Sequence, residues 1–443
     1  MHVTSVTVAT MLGFACGALS VLGIVLLWRT PQAAHKNYFF KDSSFEFQFL
    51  RTLGRAPYQM ADIGECLQAA RTISEGNFES WYASWYALAE RVYTDAESSY
   101  AQEHYQSALT AYLRASNYYR AAEFYLHGNP QDTRILEAYK KSRDCFLNVT
   151  KLSNPKIEVV KIPYEKTFLP GYFYRAPGVT GSQDKRPLVI IQTGFDGTQE
   201  ELYPYAQEAL KRGFNALTFE GPGQGGVLRE QHLPFRADWE QVITPVLDYA
   251  LTRPEVDATR VALYGLSLGG YLAPRGASKD HRVKALIANS GIYDLSEVII
   301  KNFPGINSRE QFVQFVNAHP DACNAALRAA MKKNIQLRWT IEHGMYAFAA
   351  PTPRDFLLKY QEFSLQGLIN TIVCPTLVCV SEYETPGLED QAKRFYDFLT
   401  CPKEYIFFTT AEGTGEHCQI TGVLRANQRV FDWLDALWEP TAH

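Results

Sequence analysis

The sequence predicts an α/β protein, a doubly wound and mostly parallel sheet, preceded by a helical region and an apolar first segment. Three observations carry this. Short apolar runs alternate with helical stretches from about residue 186 onward, as strands covered by helices on both faces do. From about Phe39 to Cys145 the periodicity is helical, with almost no strand signal. The 443 residues are roughly three times the length of an ordinary domain, so two unequal domains or one large embellished domain are expected.

Composition narrows the function classes. Hydrophobic residues make up 46% and charged residues 20%, which excludes a disordered or fibrous chain. Lys+Arg 43 against Asp+Glu 47 leaves a net charge of −4, with no basic excess to hold a phosphate backbone, so nucleic acid is excluded as a partner. Eight scattered cysteines without a CxxC argue for buried thiols rather than zinc or disulfides. No G-x-G-x-x-G after a strand, P-loop or H-E-x-x-H occurs, so neither a cofactor nor a metal is expected.

The first element is the uncharged run Val3 to Trp28. About 20 apolar residues cross a bilayer as a helix, so residues 1–30 are read as a single-pass membrane anchor. A charged n-region, the mark of a cleaved signal, is missing. Arg29, Lys36 and Lys41 follow the run, and the positive-inside rule then keeps the C-terminal body cytosolic. The sequon Asn148-Val149-Thr150 points the other way, to a lumenal or secreted body.

Residues 36–150 read as a helical cap domain. Phe45, Phe49, Leu50 and Leu53 recur at helical spacing, Asp62 begins another segment, and Trp81, Trp85, Leu88 and Val92 share one face. Aromatic content is high, at 13%, and much of it falls here. Residues 151–443 read as an α/β domain, the one that carries the chemistry described next, with strands in KIEVVKIPYE, FLPGYFYR, PLVIIQTG, NALTFEGPGQGG and RVALYG. A helical insertion is expected at about 297–366, over the C-terminal edge of the sheet.

The chemistry concentrates at Gly265-Leu266-Ser267-Leu268-Gly269, which follows the strand Val261 to Tyr264 and precedes a helix. This is G-x-S-x-G in the setting of a nucleophile elbow, where a sharp turn exposes the serine Oγ. The chain therefore reads as an α/β-hydrolase fold with Ser267 as nucleophile. Upstream, the strand Leu188 to Gln192 ends in Thr193-Gly194-Phe195-Asp196-Gly197, where such an enzyme places one oxyanion-hole donor. The N–H groups of Phe195 and Leu268 are the candidates. The turn Phe219 to Gly225 after the next strand positions no obvious chemistry and reads as scaffold.

In this fold the order is serine, acid, histidine. His417, in a Gly-rich loop after the strand Tyr405 to Phe408, satisfies that order as the base. For the acid, Glu384 follows the strand Pro375 to Ser381 at the usual spacing, with Glu382 and Asp390 as alternatives.

Together the stretches HKNYFFKDSSFEFQFLR, ADIGECL, ESWYASWYALAER, LRASNYYRAAEFYLH, GLSLGGYLAPRGAS and EGTGEHCQ resemble the fungal α/β-hydrolases related to the prefusarin hydrolase. Hydrolases of cytochalasan clusters are close relatives of that family. Heptaketide pyrone hydrolases and bacterial dihydropseudooxynicotine hydrolase are more distant ones. The resemblance covers nearly everything after the anchor. It implies a triad of Ser267, Glu384 and His417 beneath the helical cap, and a bulky apolar polyketide or polyketide-nonribosomal peptide intermediate as substrate. Ester hydrolysis, ring closure without an acyl-enzyme and retro-Claisen C–C cleavage are all compatible with it. Many relatives carry Asp at the acid position, so Glu384 is a departure. Some C–C cleaving relatives use an extra carboxylate, for which Asp294 and Glu297 lie in the right neighbourhood. The expected partners are a small apolar substrate, the membrane through the N-terminal helix, and a second copy of the chain. A non-catalytic binding protein is the rival reading from another class.

Overall fold

The computed structural model describes residues 37–178, 184–303, 305–385 and 387–438. The expected anchor at residues 1–30 lies outside them. Among the described residues no helix is long and apolar enough to cross a membrane.

The helical region is built from well-capped helices. Asp42 accepts from the Ser44 and Phe45 N–H groups at the start of α1 (Ser43–Leu53). Asp62 caps α2 (Ile63–Ala70) and Asn77 caps α3 (Phe78–Ala101). Each side-chain oxygen satisfies a donor that the helix itself leaves unpaired. Trp81, Trp85, Leu88 and Val92 are all buried along α3, the apolar stripe read from the sequence. Helix α4 (Tyr105–Glu123) packs against α3 and against α5 (Thr133–Leu152) and is buried almost all round from Ala111 onward. The Trp81 indole donates to the Ala121 carbonyl at 2.8 Å, tying α3 to α4. The sequon at Asn148 lies inside α5, with Val149 and Thr150 buried.

The sheet follows. Strands β1 (Glu158–Tyr164) and β2 (Thr167–Tyr174) form an antiparallel hairpin, and β2 pairs antiparallel with β4 (Asn215–Phe219). The parallel part comprises β4, β3 (Arg186–Gln192), β5 (Val256–Leu266) and β6 (Ala285–Asn289), then β7 (Thr376–Ser381) and β8 (Lys403–Phe408). Among the described residues the order across the sheet is β1-β2-β4-β3-β5-β6-β7-β8. The central strands are buried on both faces, which explains their unbroken apolar runs. Between β3 and β4 lies α6 (Tyr203–Lys211), which packs on both strands. Between β4 and β5 lie the short α7 (Gly225–Arg229) and α8 (Glu240–Leu251). Helix α8 packs on β1 and β5 and against α9 (Gly269–Ala277), which follows β5.

Asp294–Ser364 falls in a separate compact unit. It contains α10 (Leu295–Ile300), α11 (Arg309–Ala318), α12 (Pro320–Met331), α13 (Ile335–Ala347) and α14 (Pro353–Tyr360). Its helices begin two residues earlier than the sequence suggests, because Asp294 caps α10. Phe348, Phe356, Tyr360 and Phe363 form an aromatic cluster within it. The other unit takes in Asn37–Tyr293 and the chain from Leu365 on, so the N-terminal helices and the sheet share one body. Helices α15 (Leu388–Phe398) and α16 (Val423–Trp438) complete that body, α15 packing on β7 and β8, and α16 on α6. Six of the seven described cysteines are buried and all seven are free thiols.

Candidate active site

Strand β5 ends at Leu266, and Ser267 takes φ 60°, a left-handed conformation that a residue with a side chain adopts only under constraint. The constraint is visible on both sides. The Ser267 N–H donates to the Asn289 carbonyl at the end of β6 at 2.5 Å. A Cβ on Gly265 would lie 2.0 Å from the Gly269 carbonyl oxygen, so only glycine permits so tight a passage into α9.

His417 opens a short turn after β8, and its Nε2 lies 2.9 Å from Ser267 Oγ. Its Nδ1 faces Glu384 Oε1 in direct contact. That oxygen also accepts the Thr385 N–H at 2.9 Å, and Oε2 accepts the Ser290 hydroxyl at 2.5 Å. The structure thus brings Ser267, His417 and Glu384 into one relay. The other two candidate acids sit elsewhere: Glu382 accepts the Thr410 N–H, and Asp390 is exposed in the first turn of α15. Burial pushes the Glu384 carboxyl up, but the charge and hydrogen bond of His417, with Ser290 and the Thr385 N–H, outweigh it and hold the group below its ordinary range. For His417, burial favours the neutral ring, while the Cys418 sulfur and the Glu384 carboxylate outweigh it and hold the imidazole well above its ordinary range.

The histidine turn is pinned from behind. Asn289 and Gln419 exchange amide hydrogen bonds at 2.7 and 3.2 Å, and Gln419 also donates to Ser381 Oγ at 2.9 Å. All three are buried. The pairing ties the ends of β6 and β7 to the residue two after His417. Cys418 Sγ lies 3.5 Å from His417 Nε2.

On the other side of the serine, the turn after β3 presses against the elbow. A Cβ on Gly194 would lie 2.6 Å from both the Leu266 carbonyl oxygen and the Leu268 nitrogen. Phe195 therefore follows a residue in contact with the elbow. The Leu268 N–H has no acceptor among the described residues. The turn after β4, expected to be scaffold alone, reaches this place: Gln224 Nε2 donates to the Thr193 and Gly194 carbonyls at 3.1 and 2.9 Å.

Helix α1 approaches the same residues from the helical region. Phe47 lies 6.2 Å, centroid to centroid, from the His417 ring. Arg51 donates to Asp196 Oδ2 at 2.5 Å and to both oxygens of Glu201 at 2.9 and 2.8 Å. Arg120 on α4 reaches Glu201 at 2.5 Å. None of Phe47, Arg51, Asp196, Gln224 or Ser290 was singled out from the sequence, because each acts through a neighbour distant in the chain. Asp294 caps α10 and accepts the Ser364 hydroxyl at 2.8 Å, while Glu297 lies in the first turn of α10. Among the described residues no cluster of His, Cys, Asp or Glu could hold a metal ion.

Comparison with known proteins agrees with this geometry at the level of family and fold. The profile of the family described as esterase FrsA-like matches residues 75–301. The chain is 38% identical over 417 residues to the 20-hydroxy-prefusarin hydrolase FUS2 of Gibberella moniliformis, covering 90% of this chain and 97% of that one. It is 36% identical over 416 residues to the hydrolase LUC6 of a Fusarium species, covering 89% and 97%. It is 35% identical over 424 residues to the alpha/beta hydrolase psoB of Aspergillus fumigatus, covering 89% and 93%. Among solved structures, a 2,6-dihydroxy-pseudo-oxynicotine hydrolase superposes with TM-score 0.68 at 20% identity, over 87% of this chain and 96% of that one.

Proposed function

The chain belongs to the esterase FrsA-like family and to the fungal hydrolases of secondary-metabolite clusters, and from that membership we propose a serine-type hydrolase that acts on a bulky apolar polyketide or polyketide-nonribosomal peptide intermediate. The observation that carries this reading is the relay from Glu384 through His417 to Ser267 Oγ. His417 Nε2 takes the hydroxyl proton as Oγ attacks the substrate carbonyl. The resulting oxyanion is held by the Phe195 and Leu268 N–H groups. Collapse of this intermediate breaks the bond to the leaving group, which takes the proton from Nε2. Water then attacks the acyl-enzyme, passes a proton to His417 and releases the acid with Ser267 restored.

The substrate class rests on the relatives. One of them is named a 20-hydroxy-prefusarin hydrolase, and the Phe47 ring beside His417 offers an apolar contact at the site. The test is Ser267→Ala, assayed on the metabolite that accumulates when the gene is deleted in its host. Turnover should fall by several orders of magnitude. Full turnover by the variant would refute the covalent mechanism. The apolar run Val3 to Trp28 supports attachment to a membrane with the catalytic body on the cytosolic side. Fractionation of the full chain against one lacking residues 1–30 tests it.

A further inference from the structure

The buried turn after β4 carries a side chain whose bonds end on the peptide next to the nucleophile. We propose that Gln224 is a positioning residue of the oxyanion hole, holding the Gly194–Phe195 peptide so that its N–H is turned toward the acyl oxygen. The inference rests on the serine-hydrolase reading given above.

Gln224 is buried, and all three of its amide positions are used. Its Oε1 accepts the Gly221 N–H at 3.0 Å, which fixes which end of the amide is oxygen. Its two Nε2 hydrogens are then directed at the carbonyls of Thr193 and Gly194, at 3.1 and 2.9 Å. The Gly194 carbonyl and the Phe195 N–H belong to one trans peptide unit, in which C=O and N–H point in opposite directions. Holding the carbonyl toward Gln224 therefore turns the N–H away from Gln224. Gly194 is itself in contact with the Leu268 nitrogen and with Ser267, so the peptide is held beside the elbow. On the far side Arg51 grips Asp196, one residue further on. The turn is thus fixed at the two residues that flank Phe195. A donor that must be in place before charge develops gains from being held in this way, since no reorganisation is then needed during the reaction.

The test uses the full chain and a fluorophosphonate probe, whose reaction with serine builds charge on a phosphoryl oxygen in the same hole. Gln224→Glu keeps the length and the bond from Gly221 but removes both donors. Gln224→Met keeps the volume and removes all three bonds. Both variants are expected to label at Ser267 about 10- to 100-fold more slowly than the wild type, somewhat less than the loss from deleting a donor outright. The pH midpoint of labelling, which reports His417, should stay in place. The inhibition constant of butylboronic acid, whose tetrahedral adduct needs the same N–H groups, should rise in parallel. Far-UV circular dichroism and the thermal midpoint identify a variant that has not folded, in which case the other variant decides. Labelling rate and boronate affinity within twofold of wild type in a folded variant would overturn the proposal. So would a pH midpoint that moves with the rate, since that would mean a loosened base. Failure of the wild-type chain to label is a different result, because it removes the nucleophile reading itself and this proposal with it.

Discussion

Glu384 is longer by one methylene than an aspartate would be, and its two oxygens are each held separately. Oε1 meets His417 and the Thr385 N–H, and Oε2 meets Ser290. A longer acid has more rotamers to lose, so these bonds hold it in the one that serves the imidazole. Its negative charge is also one of the two influences that raise the affinity of His417 for a proton. Replacing it by glutamine removes that charge, so the imidazolium is less favoured and His417 loses its proton at lower pH. For Glu384→Gln the acid limb of kcat/KM should therefore move to lower pH, while the plateau falls by about 10²- to 10⁴-fold. A pH–rate series on wild type and variant checks both. Ser267, His417 and Glu384 were legible in the sequence because the order of the three residues and the strand before each are local signals. Ser290 was not, because its hydroxyl meets Glu384 across 94 residues of chain. Gln224 was hidden for the same reason, since a glycine-rich turn after a strand looks identical whether or not its one amide is aimed at a neighbouring loop.

Helix α1 shows what an element adds to those residues. Its apolar stripe was readable from spacing alone, and the stripe is buried where Phe45 and Phe49 lie. Its role at the site was not, because Phe47 and Arg51 leave the same helix toward loops that the sequence places far away. The end of the helix is as constrained as its face. A Cβ on Gly54 would lie 2.0 Å from the carbonyl oxygen of Ile420, three residues after His417. Gly54→Ala must therefore displace either α1 or the histidine turn. It is expected to lower stability by about 1–3 kcal/mol in urea unfolding and to reduce kcat more than it changes KM. Arg51→Met should act in a related way. Removing one member of a buried ion cluster leaves Asp196 and Glu201 short of a partner, at about 3–5 kcal/mol. A urea midpoint unchanged from wild type would contradict that.

At the scale of the whole molecule, the contact between helical region and sheet is lined with buried charge. Beside the ion cluster lies a carboxyl that the chemistry does not use: burial pushes Glu200 up to about 7 from 4.5, and the charge of Glu220 adds to the shift. A raised carboxyl pKa means that the folded state holds the proton more tightly than the unfolded chain. Its contribution to stability is present in full below about pH 4.5 and is lost as pH rises through about 7. Glu200→Gln stays neutral throughout. Its stability relative to wild type should therefore improve between pH 5 and pH 8, by about 3 kcal/mol at most, in urea titrations at the two values. The doubly wound sheet was legible from alternating strands and helices. The burial of these charges was not, because composition counts them without saying which ones face inward.

The burial of α4 on nearly all sides also bears on how such a chain can be inherited and rebuilt. A helix enclosed by α3, by α5 and by the short helical turn Gln199–Leu202 is no detachable lid. A fragment starting at β1 would bare Glu201 and Asp196 with their arginines gone, and is expected to be insoluble when expressed alone. Exchange of parts between relatives should then succeed only at breakpoints that carry α1 to α5 and the sheet together, so that recombination treats them as one heritable block.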